Sequence, residues 1–300
     1  MNLSANSMLE GKYGYEKMHE IYGKVGFECN DYSLERLKND EDVLNSESFR
    51  TEAENIRKSA ERNGLTVNQI HAPFSWSNKL WLDDSFFEET IFPRIVRSLE
   101  IAGIFGAKVA VVHPLHHFTY PGHEEEIFEV NMKYYRRLIP YAKEFGVKIG
   151  VENMYQVDPR RKHIIADTCA KIPEFIRYID TLDSEQITAC LDIGHCTLTD
   201  HAPTDMIRAL GHKHLHALHV HDNDGVGDLH TLPFQPKHAK VDWVGVTDAL
   251  AEIDYDGELT LEADYFHTNI PRELLPATLR YMAEVARYLA NEVDRKKAAK

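Results

Sequence analysis

The sequence predicts an α/β protein built as a single (β/α)8 TIM barrel. Two observations carry this expectation. Short β-branched apolar runs alternate with amphipathic segments along the whole chain, the pattern of parallel strands joined by helices. The 300 residues contain no Ser/Gly linker, low-complexity tract or shift in composition that would divide them, and barrels of roughly 250 residues form one domain. An open doubly wound sheet is the rival, but no GxGxxG follows a first strand. Residues 1–292 are assigned to the barrel, and residues 293–300, rich in Lys and Arg, to a charged solvated tail.

In chain order, residues 3–8 form a weak first strand, 15–24 a helix and 25–29 a second strand. Clearer strands follow at 65–71, 108–113, 147–152, 187–192, 215–219 and 258–262. Helical segments with apolar residues at three- and four-residue steps cover 47–62, 86–105, 124–145, 172–182, 204–210, 243–253 and 274–290. Gly64, Gly106, Gly146 and Gly257 each follow one of these segments, as expected of left-handed helix stops.

Composition narrows the function classes. With 34 Lys+Arg against 48 Asp+Glu the formal charge is −14, which disfavours broad attraction to nucleic acid or anionic lipid. No stretch approaches a membrane span, and the start has no basic flank followed by an apolar run, so a cytoplasmic protein is expected. Cys29, Cys169, Cys190 and Cys196 form no CxxC pair, which argues for a reducing compartment. The 17 histidines stand out and move metal or proton chemistry up.

Position sharpens that hint. His71, His113, Glu152, Asp192, His219 and Glu262 each end a predicted strand. In a barrel the C-terminal strand ends open onto one mouth, where active sites of this fold are built. Several carboxylates there repel one another unless a cation is present, and imidazole with carboxylate suits Zn²⁺, Mn²⁺, Fe²⁺ or Co²⁺. Two local clusters add donors: Asp192-Ile-Gly-His195, and His219-Val-His-Asp222 followed by Asp228-Leu-His230.

The ordered set His71-Ala-Pro, His113-Pro, Glu152-Asn, Asp192-Ile-Gly-His195, His219-Val-His-Asp222, Asp228-Leu-His230 and Glu262 resembles the xylose isomerase-like barrel superfamily. That superfamily contains sugar phosphate isomerases, epimerases and apurinic endonucleases. The resemblance implies a divalent-metal site with Glu152, Asp192, His219 and Glu262 as the common ligands. It further implies that His71, His113, His195, Asp228 and His230 match extra ligand positions of the trinuclear-zinc endonuclease branch, giving one to three ions (Zn, Mn, Co, Fe or Mg). His221 stands where that branch usually has Asn. The stretch after His230 lacks the usual Pro-Gly-x-Gly, and Asp-Ile-Gly-His replaces an acidic-Thr-Cys-His form.

These departures favour a metal-dependent isomerase or epimerase acting on a sugar or sugar phosphate through an enediolate. The resemblance makes Glu152 and Glu262 both ligands and proton carriers, with His195 hydrogen-bonding the substrate. Phe74, Trp76, His113, Tyr155 and His221 are expected against the substrate. Trp81, Phe118, Tyr120, Tyr265 and Phe266 are further candidates for an aromatic wall, and Asp158-Pro-Arg-Arg-Lys-His163 is the one basic loop after a strand end. The alternatives are a zinc phosphodiesterase on abasic DNA, which the neutral or acidic strand-end loops disfavour, a keto-sugar or keto-inositol dehydratase, and a barrel that binds without turnover. The outer helices of such barrels often pair subunits, but no stripe here is diagnostic.

Overall fold

Eight parallel strands order the molecule: β1 Leu3–Asn6, β2 Cys29–Ser33, β3 Thr66–His71, β4 Val109–Val111, β5 Lys148–Glu152, β6 Ile187–Asp192, β7 Leu215–His219 and β8 Leu259–Leu261. The computed structural model describes residues 1–74, 84–115 and 120–300. The strands are hydrogen-bonded in sequence order, with β8 against β1. The seam between β7 and β8 is closed just beyond the strands by a parallel bridge, Val220 to Leu261. There the Val220 amide donates to the Thr260 carbonyl at 2.8 Å and the Glu262 amide to the Val220 carbonyl at 3.1 Å.

Each strand is followed by a principal helix: α1 Tyr15–Val25, α2 Phe49–Arg62, α3 Phe92–Phe105, α4 Glu124–Phe145, α5 Ile172–Leu182, α6 Pro203–His214, α7 Trp243–Glu252 and α8 Leu275–Ala298. The main apolar core lies between strands and helices, where Ile70, Ile149, Leu191 and Leu218 meet residues such as Leu99, Leu138 and Ile207. Because side chains alternate along a strand, the other set points into the barrel. Val109, Val111, Cys190 and Ala217 form a small apolar cluster of their own there. Gly150 belongs to it: a Cβ would sit 2.8 Å from Val109 Cγ1. Another part of the lumen is polar. Ser4 Oγ donates to Asn68 Oδ1 at 2.7 Å, Asn68 Nδ2 to Thr260 Oγ1 at 3.3 Å, and Gln69 Nε2 to Asp31 Oδ2 at 3.1 Å.

Three expectations are corrected. The second strand is not at 25–29: α1 continues to Val25, and the strand is Cys29–Ser33. Its Asn30, Asp31 and Ser33 make it read as polar, yet Asn30 and Asp31 are buried. The terminal segment is helix rather than a tail that leaves the fold: α8 reaches Ala298 and Val293 is fully buried, while Asp294, Arg295 and residues 298–300 are exposed. Lys296 Nζ donates to the Val244 carbonyl at 3.0 Å and to Thr247 Oγ1 at 2.8 Å, which fastens the last turns to α7. Gly257 is not a left-handed helix stop; Asp254 takes the positive φ, and a Cβ on Gly257 would meet the Tyr255 hydroxyl at 2.3 Å.

One buried group outside the mouth sets an acid limit on stability. His19, on α1, is fully buried with Nδ1 3.1 Å from Ser59 Oγ, and burial lowers its pKa to about 4. The unfolded chain takes up that proton near the ordinary value of 6.5, so the folded form binds fewer protons between the two. This contribution to stability is intact above pH 6.5 and falls by roughly 3 kcal/mol as the pH drops to about 4. Urea titrations from pH 7.5 to 4.5 should show a flatter pH dependence for His19→Gln than for the native protein; equal slopes would remove His19 as the cause.

Candidate metal centre

The donors form the top layer of the lumen. Glu152 follows Gly150, Asp192 follows Cys190 and His219 follows Ala217, so period-two alternation sets each directly above the small inner layer. Glu262, one residue past β8, is carried alongside by the hydrogen bond its amide donates to the Val220 carbonyl. His219 Nδ1 lies 3.1 Å from Glu152 Oε1 and 3.2 Å from Glu262 Oε2. Ligand atoms of Glu152, Asp192, His219 and Glu262 are all within 4.8 Å of one another. Beside them, His113 Nε2 is 2.9 Å from Glu152 Oε2 and 3.0 Å from His71 Nε2.

Backbone carbonyls orient the imidazoles. His71 Nδ1 donates to the Ala72 carbonyl at 2.9 Å, His195 Nδ1 to that of Asn153 at 2.8 Å and His230 Nδ1 to that of Glu262 at 2.9 Å. A carbonyl can only accept, so these contacts fix the proton on Nδ1 and leave each Nε2 facing the mouth. His219 is reversed. Its Nε2 is 3.4 Å from Asp31 Oδ2, and its Nδ1 points at the carboxylates.

A second group adjoins the first. Asp228 Oδ2 accepts from Tyr155 Oη at 2.9 Å and lies 2.9 Å from His230 Nε2. His221 Nε2 is 3.0 Å from Asp192 Oδ1 and 3.1 Å from Oδ2. The sequence Asp192-Ile-Gly-His195 is a helix start. Asp192 Oδ1 caps Ile193–Leu198 by accepting from the His195 amide at 2.7 Å. Gly194 is required by crowding, since a Cβ there would lie 2.0 Å from His221 Cε1. Asn153 pins the arrangement: it accepts from the Asp192 amide at 2.8 Å and donates to the Asp192 carbonyl at 3.0 Å.

Electrostatics follow from this packing. Burial works against the charged forms of Glu152, His195 and His230, yet attraction to their partners wins. His219 and His113 hold the Glu152 carboxyl well below the usual range. Asp192 and Asp228 raise His195 to about 10, and Asp228 and Glu262 raise His230 well above its ordinary value. Held by protons alone, the mouth needs several buried imidazolium ions. A divalent cation would take the place of those protons, and converging imidazole nitrogens with carboxylate oxygens are a donor set that Zn²⁺, Mn²⁺, Fe²⁺ or Co²⁺ accepts. The residues fit such an ion.

All nine expected ligands therefore meet at one mouth. Among the expected substrate contacts, Phe74 stacks on His113 with ring centroids 4.4 Å apart, and Tyr155 stands edge-on to His195. Tyr265 is exposed and edge-on to His230, whereas Tyr120 is buried with its hydroxyl on Glu174, away from any wall. Trp76, Trp81 and Phe118 lie outside the described residues. The basic stretch forms the exposed turn of a hairpin between Tyr155–Val157 and Ile164–Ala166. The loop that lacks Pro-Gly-x-Gly is held another way: Asp222 Oδ2 accepts from Trp243 Nε1 at 2.8 Å and the Phe234 amide at 3.1 Å. Sequence reasoning missed Asp31, hidden in a polar strand, and the bracing role of Asn153. It also missed Asp264, which accepts from Asn6 and whose acid burial and Glu262 raise to about 7.

A family model for the xylose isomerase-like TIM barrel matches residues 25–285. The chain belongs to the xylose isomerase-like TIM barrel family. Uncharacterized protein MJ1311 of Methanocaldococcus jannaschii is 28% identical over 196 residues, 64% of this chain and 63% of that protein. Uncharacterized protein y4fM of Sinorhizobium fredii is 27% identical over 167 residues, 55% of this chain and 50% of that protein. The chain thus aligns with less than two thirds of either relative. Among family folds, a D-tagatose 3-epimerase-like protein superposes with TM-score 0.74 at 21% identity, covering 99% of both chains. D-psicose 3-epimerase from Clostridium cellulolyticum H10 gives TM-score 0.74 at 15% identity, covering 96% of this chain and 99% of that one. At these identities the likeness is one of fold.

Asn153→Ala removes the side-chain partner of the Asp192 amide and one of two donors to its carbonyl, which keeps the Cys196 thiol. Leaving a buried amide unsatisfied costs about 1–3 kcal/mol, so urea unfolding should give a loss of that size; no loss would show that Asn153 is not the brace.

Proposed function

We propose that the protein is a divalent-metal-dependent sugar isomerase or epimerase that moves a proton between Glu152 and Glu262. One observation carries the reading: two carboxylates from β5 and the end of β8 approach the same imidazole nitrogen, His219 Nδ1, at 3.1 and 3.2 Å. Glu152, Asp192, His219 and Glu262 hold the ion in this reading, with His71 and His113 beside them. When bound, a divalent ion polarises a carbonyl and so acidifies the adjacent C–H. Glu152 and Glu262 then divide the acid and base work, one removing that proton and the other returning one. For epimerisation the return is to the opposite face. His195 faces the mouth through Nε2 and donates to a substrate oxygen when protonated. Phe74 and Tyr155 supply apolar walls, with Trp76 as a further expected contact. The substrate is a small sugar or sugar phosphate. The structural neighbours D-psicose 3-epimerase and L-ribulose 3-epimerase support this class.

A second reading, a zinc phosphodiesterase of the apurinic endonuclease type, is favoured by the donor group His195, His221, Asp228 and His230 beside the first. A keto-sugar dehydratase shares the proton abstraction and differs in product. One panel separates the three: ketoses, sugar phosphates and keto-inositols in D₂O, against an abasic-site oligonucleotide. Deuterium should enter a ketose at the carbon next to the carbonyl, and removal of divalent ions by a chelator should abolish this until metal is restored. Oligonucleotide cleavage without exchange would favour the second reading. Glu152→Gln and Glu262→Gln should each reduce exchange by ~10²–10⁴-fold. Undiminished exchange in both would end their acid/base assignment.

Asp31 is proposed to fix His219 with Nδ1 toward the ion. Such partners commonly contribute ~10–100-fold to metal affinity. Asp31→Asn should weaken metal binding by that factor in competition with a chromophoric chelator, and unchanged affinity would remove Asp31 from the site.

A further inference from the structure

The basic stretch Asp158-Pro-Arg-Arg-Lys-His163 takes no part in the metal centre, yet it is the tip of a hairpin whose base touches that centre. We infer that Arg160 and Arg161 bind a phosphate carried by the substrate at the end of its chain away from the reacting carbons. The substrate class is then a terminally phosphorylated ketose rather than a free one. This rests on the reading of the mouth as a sugar-binding metal centre and adds the end of the substrate that the metal does not touch.

The hairpin starts at the mouth. Tyr155, just past Glu152 at the end of β5, donates through Oη to Asp228 at 2.9 Å and stands edge-on to His195 with ring centroids 4.9 Å apart. Tyr155, Gln156 and Val157 pair with Ala166, Ile165 and Ile164 across the hairpin. Because side chains alternate along a strand, Tyr155, Val157, Ile164 and Ala166 share one face and Gln156 lies on the other. Gln156 Oε1 accepts from the Tyr120 amide at 3.1 Å and its Nε2 donates to Asp167 at 3.1 Å, so that face is turned to the loop before α4. The apolar face is the one that Tyr155 turns to the metal donors. Along it Val157 is exposed and Ile164 and Ala166 are only half-buried.

The tip is a defined turn with unspent charge. Asp158 Oδ1 accepts from the amides of Arg160 at 2.7 Å and Arg161 at 2.9 Å, while the Asp158 amide donates to the His163 carbonyl at 2.8 Å and the Lys162 amide to the Asp158 carbonyl at 2.9 Å. The carboxylate of the turn is thus engaged by backbone amides. Arg160, Arg161, Lys162 and His163 are all exposed, and among the described residues none meets a carboxylate oxygen at ion-pair distance. By contrast Arg36 and Lys38, in the loop after β2, are paired, Arg36 with Glu10 and Asp42 and Lys38 with Glu35. A chain with net charge −14 leaves these neighbouring cations without an acidic partner of its own.

Reach selects where the phosphate sits. From Tyr155 to Asp158 the extended backbone covers about 10 Å. A phosphate held at the tip is too far from the metal donors to be borne by a carbon next to the carbonyl. It fits the far end of the sugar chain, with the chain itself along Tyr155 and Val157. Arginine suits this end, because its planar fork bonds two phosphate oxygens at once. The contact is remote from the reacting carbons and equal in ground and transition states, so it acts on KM rather than on kcat.

The test separates binding from turnover. Calorimetry on the metal-loaded full-length protein compares pentitol 5-phosphates and hexitol 6-phosphates, which have no carbonyl to enolise, with the same sugar alcohols lacking phosphate. The best phosphorylated probe should bind roughly 10–100-fold tighter than its free alcohol, the size of one or two charge-assisted hydrogen bonds. Arg160→Ala with Arg161→Ala should erase most of that difference, and Arg160→Lys with Arg161→Lys should restore part of it, since the charge returns without the fork. In D₂O exchange the alanine variant should raise KM for a ketose phosphate by the same factor and leave its kcat. The inference is overturned if native protein binds the paired probes equally, or if the alanine variant, with a native thermal melt, keeps the full phosphate preference. An effect of the variant confined to an abasic-site oligonucleotide also overturns it and assigns the phosphate to nucleic acid. Exchange into free ketoses without any phosphate preference removes this inference and leaves the epimerase reading; a phosphate preference that depends on both arginines, without exchange into any ketose, does the reverse.

Discussion

The constraint on which the structure depends is the crowding of proton acceptors at the top of the barrel lumen. Glu152 and Asp192 are buried beside Glu262, and the rings of His71, His195 and His230 donate from Nδ1 to backbone carbonyls, which turns Nε2 of each toward the mouth. Burial of so many lone pairs is unfavourable unless something positive sits among them. The rest of the molecule can be understood as what holds that arrangement in place: a rigid ring of strands, Asn153 and Asp222 bracing the loops, and carbonyls fixing each ring.

The lumen below shows how the crowding is supported. An inner layer of Val109, Val111, Cys190 and Ala217 with Gly150 is small enough to let the longer side chains above it converge. The polar part, from Ser4 through Asn68 and Thr260 with Gln69 and Asp31, ends at His219. A lumen filled only with branched apolar residues would pack as well. It would not bring a carboxylate, that of Asp31, to 3.4 Å from His219 Nε2.

Much of this was legible in the sequence. A donor at the last position of a strand announces itself, because the apolar run stops there and the barrel brings all such positions together; His71, Glu152, Asp192 and His219 were found that way. Helices α4 and α5 were readable to the residue from periodicity. Asp31 was invisible because β2 carries polar residues on the inward side, which erases the hydrophobic contrast that marks a strand. Asn153 was read only as a neighbour of Glu152, since nothing in a sequence states which backbone groups a side chain will satisfy. The terminal Lys and Arg residues looked solvated because their long stems and the carbonyls they reach on α7 are far away in sequence.

The seam between β7 and β8 differs from every other in the ring, being joined at Val220 and Leu261 rather than along paired strands. His219 ends one side of it and Glu262 begins the other. Any parting of these two edges would separate two donors at the same moment. The most thinly paired seam of the barrel and its chemistry therefore share one edge.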